Sequence, residues 1–292
     1  MNRFLYSRCN APTIIYLKMV SHVFILCLLF SISCVPVSKV KIKTMKYSYY
    51  NDTIKSLYLN EDRIVSIFKP SNFDKNKKYP IIYALDGQLI TLDSYISKID
   101  SLINTKQIPE IILIAIYSNE TKVSGSIYEY RNYEYCESLS KETKDTILNQ
   151  LYANHLKFLL NEVEFYIKKE GIQSSEKIFF GTSNGGGLGL SIAASYQKAY
   201  DIYLLMSPGC GKINELNWDK SKELPFLYIS YGNEEPLPFQ IEAKNYIELI
   251  KERGYNNYKI NVFDGGHNRK SWSKNFIIEI VKILNDDINT NR

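Results

Sequence analysis

Three residues that together can activate a hydroxyl nucleophile occur along the chain in the order serine, acid, histidine: Ser183, Glu235 and His267. A serine hydroxyl is a weak nucleophile at neutral pH and needs an adjacent base. Imidazole is the side chain that most often takes and returns such a proton, and a buried carboxylate can orient the ring and stabilise its cation. The pattern therefore indicates nucleophilic attack by serine on a carbonyl carbon.

The residues around Ser183 predict the turn that such a nucleophile requires. Residues 181–185 read GTSNG, which fits the pattern G-x-S-x-G. The preceding residues 177–180 are mostly apolar and β-prone, and residues 188–198 predict a helix. A strand, a sharp turn at serine and a helix form a nucleophile elbow. Because the bare motif also occurs in ordinary glycine-rich turns, the acid and the base are needed to support it.

The sequence identifies the candidate base histidine more clearly than the candidate acid. His155 lies in a predicted helix in line with leucines, which is typical of a core residue, whereas His267 follows a predicted strand in a glycine-rich loop. Glu234 and Glu235 both follow another predicted strand, and Asp264 precedes the histidine by three residues, a place more typical of a turn former. We favour Glu235, because the proline that follows restricts its backbone to an extended conformation.

Acyl transfer also needs donors for the oxyanion of the tetrahedral intermediate. One donor is expected to be the backbone N–H of Asn184, directly after the nucleophile. The second is expected from the loop at residues 85–88, LDGQ, which follows a predicted strand. We predict that the backbone N–H of Gln88 supplies it.

The elements expected to position these residues alternate between strand and helix. This alternation predicts a mostly parallel sheet with helices on both faces, whose active site lies at the carboxyl ends of the strands. The run 108–117 is the most apolar and is expected at the centre of the parallel sheet. The tyrosine-rich segment 118–139 is expected to be a long loop. Further strands are predicted at 45–60, 63–69, 80–85, 202–206, 225–230 and 258–263, and further helices at 89–103, 146–169, 239–253 and 272–284.

The amino-terminal segment has the pattern of an export signal. Residues 2–18 carry three basic and no acidic residues, and residues 19–37 are uncharged around a short apolar core. We predict a signal peptide over residues 1–33, lipidation of Cys34 as in bacterial lipoproteins, a tether over 34–45 and a catalytic domain over 46–288. The protein would then lie in the periplasm or at the cell surface, anchored to a membrane. Cleavage near Ser33 without lipidation and an uncleaved anchor are the alternatives.

Charge and cysteine content exclude several other classes of function. The net charge of +5 for 292 residues falls to +2 without the three basic residues of segment 1–33, and Lys39, Lys41 and Lys43 account for more than this remainder. The body is near neutral and has no basic stripe for nucleic acid. The chain lacks the C-x-x-C and H-E-x-x-H spacings of dedicated metal sites. Cys136 and Cys210 are expected to be separate thiols, and no metal or cofactor is expected.

Several short motifs in the same order resemble the bacterial putative-esterase family of α/β-hydrolases. This family includes esterase D, feruloyl esterases, siderophore esterases and the antigen 85 mycolyltransferases. The motifs are residues 83–88 (YALDGQ), Arg131 with residues 134–135 (EY), residues 181–186 (GTSNGG), and residues 265–267 (GGH) with Trp272. Two features differ from the family pattern: the acid there is usually aspartate, and a proline commonly follows the tyrosine where Cys136 stands here.

The resemblance implies an α/β-hydrolase fold, a serine esterase activity without a metal, and oxyanion donation by Gln88 and Asn184. It also leads us to expect substrate contacts from Arg131 and Tyr135. The substrate would be a small-molecule or glycan ester, either an acyl group on polysaccharide or the ester of a siderophore. An acyltransferase with the same acyl-enzyme and a surface protein that only binds ligand are alternatives, and the intact serine and histidine argue against the second.

Overall fold

The computed structural model describes residues 47–211 and 224–285. The predicted signal peptide, Cys34 and the tether lie outside these residues, as does the predicted end of the domain at residue 288. The proposed domain boundaries therefore stay predictions. No helix within the described ranges is long and apolar enough to cross a membrane.

Eight strands form one sheet in the order β1-β2-β4-β3-β5-β6-β7-β8. Strands β3 to β8 pair in parallel, whereas β1 and β2 form an antiparallel hairpin at one edge. The strands are β1 (Tyr47–Ser56), β2 (Glu61–Pro70), β3 (Lys78–Leu85), β4 (Ile112–Ile116), β5 (Gln173–Thr182), β6 (Ile202–Met206), β7 (Phe226–Gly232) and β8 (Tyr258–Phe263). Two large clusters of buried apolar side chains flank the sheet, one on each face. The predicted α/β-hydrolase fold is confirmed.

Nine α-helices connect or cover the strands in the described ranges. They are α1 (Gly87–Leu92), α2 (Tyr95–Asn104), α3 (Tyr130–Tyr135), α4 (Glu137–Glu142), α5 (Thr146–Lys157), α6 (Glu164–Lys169), α7 (Asn184–Ser195), α8 (Leu237–Glu252) and α9 (Arg269–Asn285). A π-helical turn at Phe158–Val163 joins α5 to α6. The strands and the later helices lie where the sequence predicts them, within a few residues.

Two predictions about strands and helices in the first half of the chain are wrong. Strand β4 is fully buried but does not lie at the centre of the parallel sheet, because it pairs in parallel with β3 and antiparallel with β2. The helix predicted at 89–103 is divided into α1 and α2, because Ser94 adopts φ 61° between them. The helix predicted at 146–169 is confirmed over its whole length and includes the π-helical turn.

The segment 118–139 is not a structureless loop, because it contains α3 and the start of α4. A reciprocal pair of hydrogen bonds between Glu129 and Asn132 caps the first turn of α3. Helix α3 has only six residues, too few to show a clear apolar period. It matters for the site, because it carries Arg131 and Tyr135.

A buried ion pair attaches α3 to the sheet. The guanidinium of Arg63 on β2 donates two hydrogen bonds to the carboxylate of Glu134, at 3.1 and 2.5 Å, and both side chains are buried. Arg63 also donates to the backbone carbonyl of Tyr117, directly after β4, at 3.1 Å. One side chain thus joins β2, the end of β4 and α3.

We predict that Glu134→Ala lowers the free energy of unfolding by about 1–3 kcal/mol, because the buried Arg63 guanidinium then keeps only the partly exposed Glu61 as an ion-pair partner. The matched control is Glu110→Ala, which removes an ion pair with Lys77 whose side chains are partly exposed. Exposed pairs contribute about 0–1 kcal/mol, so this variant should remain close to wild type. Urea unfolding monitored by circular dichroism measures both. Equal losses in the two variants would contradict the assigned burial effect.

Candidate active site

Ser183 lies in a strained turn between β5 and α7. Its backbone has φ 53° and ψ −125°, a region that residues with a side chain rarely adopt. Three hydrogen bonds hold this conformation. The Ser183 N–H donates to the carbonyl of Met206 at 2.9 Å, and its own carbonyl accepts from the N–H groups of Gly187 and Gly209, both at 3.1 Å.

Two glycines of the elbow are required by close backbone contacts. A Cβ atom at Gly181 would lie 2.4 Å from the carbonyl oxygen of Gly185. A Cβ atom at Gly187 would lie 1.8 Å from the carbonyl oxygen of Gly209. Since real Cβ atoms do not approach backbone atoms so closely, the turn can form only with glycine at both positions.

His267 bridges Ser183 and Glu235. Its Nε2 atom lies 3.0 Å from the Oγ atom of Ser183, and its Nδ1 atom lies 3.0 Å from an Oε atom of Glu235. His267 lies in the loop between β8 and α9, and Glu235 in the loop between β7 and α8. These three residues are spread over 85 positions of the sequence, and their side chains form one hydrogen-bonded series. This arrangement allows proton transfer from the serine hydroxyl to the imidazole.

Glu235 is buried and well supplied with hydrogen-bond donors. Its second Oε atom accepts from the Ser207 hydroxyl and, at 2.7 Å, from the backbone N–H of Gly232. Burial opposes ionisation of the carboxyl, but the hydrogen bonds from His267, Ser207 and Gly232 outweigh it and lower the pKa of Glu235. The carboxylate is therefore ionised at neutral pH, as a partner of an imidazolium must be.

The two other candidate acids are both exposed. Glu234 is exposed, and its backbone N–H donates to the carbonyl of Gly265 at 3.0 Å. Asp264 is also exposed and accepts a hydrogen bond from the Asn233 side chain at 2.8 Å. This bond connects the two loops that carry the acid and the histidine. Of the three acids considered, Glu235 is the one hydrogen-bonded to His267.

A buried relay behind the acid was missed by the sequence analysis. Ser207 follows β6 with φ 51° and donates to Glu235, while its own Oγ accepts from the indole N–H of Trp272 at 2.8 Å. Trp272 was noted as a motif residue without a structural role. The position of Ser207 directly after β6, next to β5 in the sheet, is the sequence signal that could have indicated it.

Two aromatic rings enclose His267. The ring of Phe239 stacks on the imidazole, with centroids 4.2 Å apart and an interplanar angle of 18°. The ring of Trp272 meets the imidazole edge-on, at 4.8 Å and 81°. Contacts of both kinds are favourable for aromatic rings and restrict the orientation of the imidazole. The sequence analysis did not single out Phe239.

The two predicted oxyanion donors lie at the first residues of helices. Gln88 belongs to the first turn of α1 and Asn184 begins α7, so neither backbone N–H has an acceptor four residues earlier in its own helix. The Gln88 side chain is held by Ser118, whose N–H donates to Oε1 at 3.2 Å and whose hydroxyl accepts from Nε2 at 2.6 Å. The strand ends of β3 and β5 thus present one N–H each.

Arg131 and Tyr135 contact the oxyanion loop, which differs from the substrate contacts expected of them. The Arg131 guanidinium donates two hydrogen bonds to the carboxylate of Asp86, at 2.5 and 2.6 Å. Tyr135 is buried, and its hydroxyl donates to Asp86 at 3.3 Å. Asp86 itself is buried at φ 55°, directly before Gly87 and Gln88. These hydrogen bonds position the loop at residues 85–88, and the substrate contacts expected of Arg131 and Tyr135 stay a prediction.

The remaining histidine and the two cysteines are not hydrogen-bonded to Ser183, His267 or Glu235 in the described part of the chain. His155 is fully buried between the rings of Tyr135 and Phe158, as expected of a core histidine. Burial, with a further contribution from the nearby Arg63 charge, lowers its pKa well below the usual value. Cys136 is buried, Cys210 is exposed, and neither forms a disulfide. Across residues 47–211 and 224–285, no three His, Cys, Asp or Glu side chains cluster as a metal site would require.

Comparison with known proteins identifies one matching family and many solved structures with a similar fold. The family model described as "Putative esterase" matches residues 56–226, more than half of the chain. A comparison with curated proteins found no match. The fold is similar to those of many solved proteins, and three of them, each at low sequence identity, are described next.

A ferulic acid esterase of the anaerobic fungus Anaeromyces mucronatus is 17% identical with a TM-score of 0.62, covering 85% of this chain and 95% of that one. An IroE-like serine hydrolase of Shewanella oneidensis is 16% identical with a TM-score of 0.60, covering 81% and 79%. A siderophore hydrolase of Aspergillus nidulans is 15% identical with a TM-score of 0.59, covering 82% and 95%. At these identities the similarity shows a shared fold.

Proposed function

Because this chain belongs to the putative-esterase family and is a serine carboxylic ester hydrolase, we propose that Ser183, His267 and Glu235 are its catalytic triad. The observation that carries the proposal is the pair of 3.0 Å contacts from the two nitrogens of His267 to Ser183 and Glu235. The buried, ionised state of Glu235 supports the same assignment.

In the proposed reaction, the Ser183 Oγ attacks the ester carbonyl carbon while His267 Nε2 takes its proton. The carbonyl oxygen becomes an oxyanion that accepts from the backbone N–H groups of Gln88 and Asn184. The imidazolium, stabilised by Glu235, then gives its proton to the departing alcohol oxygen, and an acyl-serine remains. Water repeats the sequence with His267 as base and releases the carboxylic acid.

We further propose that the substrate lies outside the cytoplasm. The export pattern of residues 1–33 supports this location. Two chemical classes of ester are compatible with it: acyl groups on polysaccharide and the ester bonds of a siderophore. The names of the compared proteins, a ferulic acid esterase and a siderophore hydrolase among them, are compatible with either class.

Replacement of the nucleophile tests the activity and its residue together. Ser183→Ala should lower kcat/KM for p-nitrophenyl acetate by roughly 10⁴-fold or more, because no other group supplies the attacking oxygen. It should also abolish labelling by a fluorophosphonate probe. Ser97→Ala changes an exposed serine on α2 and serves as the matched control. This variant should retain wild-type kcat/KM and fluorophosphonate labelling. A Ser183→Ala variant within about tenfold of wild type would remove Ser183 from this role.

The two neighbouring glutamates can be separated by isosteric amides. Glu235→Gln should lower kcat by about two to four orders of magnitude, because the amide cannot stabilise the imidazolium. Glu234→Gln should retain nearly full kcat, since the Glu234 side chain is exposed and not bonded to His267. Steady-state kinetics at neutral pH measures both. The reverse pattern would assign the acid to Glu234.

We also propose that Cys34 is lipidated and tethers the enzyme to a membrane surface. The apolar core that ends in small residues and a cysteine supports this. Mass spectrometry of the protein expressed in a bacterial host should find an amino-terminal diacylglyceryl-cysteine at position 34. Cys34→Ala should release the protein from the membrane fraction. An unmodified amino terminus at another residue would overturn the anchor and leave the esterase assignment unaffected.

A further inference from the structure

Phe239 combines exposure with contact to the catalytic base. Its ring stacks on the imidazole of His267 at 4.2 Å, yet 40% of the residue remains accessible to solvent. Trp272, which contacts the same imidazole edge-on, is 8% exposed. Both rings restrict the imidazole, but of the two it is Phe239 that keeps a large exposed area.

The position of Phe239 follows from the loop that carries the acid. Glu235 and Pro236 lead directly into α8, and Phe239 lies in the first turn of this helix. Its backbone N–H donates to the carbonyl of Pro236 at 3.0 Å, which connects this turn to the acid loop. The ring is therefore attached to the element that also holds the partner of His267.

The reaction itself determines which part of the ester approaches Phe239. During acylation the Ser183 Oγ–carbon bond forms and the bond from that carbon to the alcohol oxygen breaks. The proton that His267 took from Ser183 passes to the alcohol oxygen, which must come within hydrogen-bond reach of Nε2. A substituent on that oxygen then lies beside the imidazole and the ring stacked on it. The carbonyl oxygen points instead toward the N–H groups of Gln88 and Asn184.

We propose that Phe239 determines specificity by binding the alcohol part of the ester, and that it favours alcohols carrying a flat apolar ring. This inference rests on the proposed triad, because that triad defines where the alcohol leaves. Aromatic rings favour stacked or edge-to-face contacts with a second ring. A ring on the alcohol can make such a contact with the open part of Phe239, whereas a small alkyl alcohol cannot.

Four esters and one substitution test this inference. Benzyl acetate and ethyl acetate differ in the alcohol, whereas ethyl phenylacetate and ethyl acetate differ in the acyl group. Ethyl acetate, which has no ring in either part, reports basal activity; p-nitrophenyl acetate carries a ring on its alcohol, and its kcat/KM should fall with that of benzyl acetate. Phe239→Ala should lower kcat/KM for benzyl acetate roughly three- to tenfold more than for ethyl acetate, the effect expected for one ring contact. The ratio of ethyl phenylacetate to ethyl acetate should stay unchanged.

Two further variants make the comparison independent of folding effects. Phe239→Tyr keeps a ring at this position and should retain the preference for benzyl acetate. Ile241→Ala removes an exposed apolar side chain from the same helix at a position that does not stack on His267, and should leave every ratio unchanged. Circular dichroism spectra that match wild type show that each variant is folded.

Three results would overturn the inference. An equal loss for all esters would make Phe239 a residue that acts through the orientation of His267. A loss confined to ethyl phenylacetate would place the ring on the acyl side, and no loss at all would remove Phe239 from specificity. Hydrolysis of p-nitrophenyl acetate that persists in Ser183→Ala contradicts the proposed triad instead, so the two failures are distinguishable.

Discussion

The backbone conformation of Ser183 is the constraint on which the site depends. A residue with a side chain at φ 53° and ψ −125° is strained, at a cost of about 1–3 kcal/mol. Hydrogen bonds from Gly187 and Gly209 and to Met206 offset this cost. The same turn projects the serine hydroxyl toward His267 and starts α7, so that the N–H of Asn184 lies beside the nucleophile. The proposed nucleophile and one proposed oxyanion donor thus both depend on a single local distortion.

The parallel register of the sheet brings the other groups to this turn. Thr182 pairs with Met206, so that β5 and β6 end at the same level, and Met206 pairs with Ser230, two residues before the end of β7. Gly232 likewise pairs with Phe263 at the end of β8. The loops that follow must therefore meet at one edge of the sheet, where ligands bind in folds of this class. Because the sheet is buried on both faces, its register cannot shift without moving apolar side chains out of the core.

Two buried ion pairs hold the loop at residues 85–88 in place. Asp86, paired with Arg131, fixes the turn before Gln88, and the Arg63–Glu134 pair fixes the short helix that carries Arg131. Such pairs contribute little net stability, because removing two charges from water is costly. Their directional hydrogen bonds do, however, permit few alternative geometries. This supports an interpretation in which these residues contribute more to precise placement of the loop at residues 85–88 than to overall stability.

The sequence by itself determined the features that depend on neighbouring residues: the alternation of strands and helices, the glycine-bounded turn at Ser183, and the order of serine, acid and histidine. It also narrowed the acid to two adjacent glutamates. Only the tertiary structure decided that Glu235, and not the exposed Glu234, bonds to His267, that Arg131 pairs with the buried Asp86, and that Phe239 stacks on the imidazole. These outcomes depend on contacts between segments that are far apart in the chain. Such contacts produce no periodic pattern in the local sequence, so the sequence alone cannot predict them.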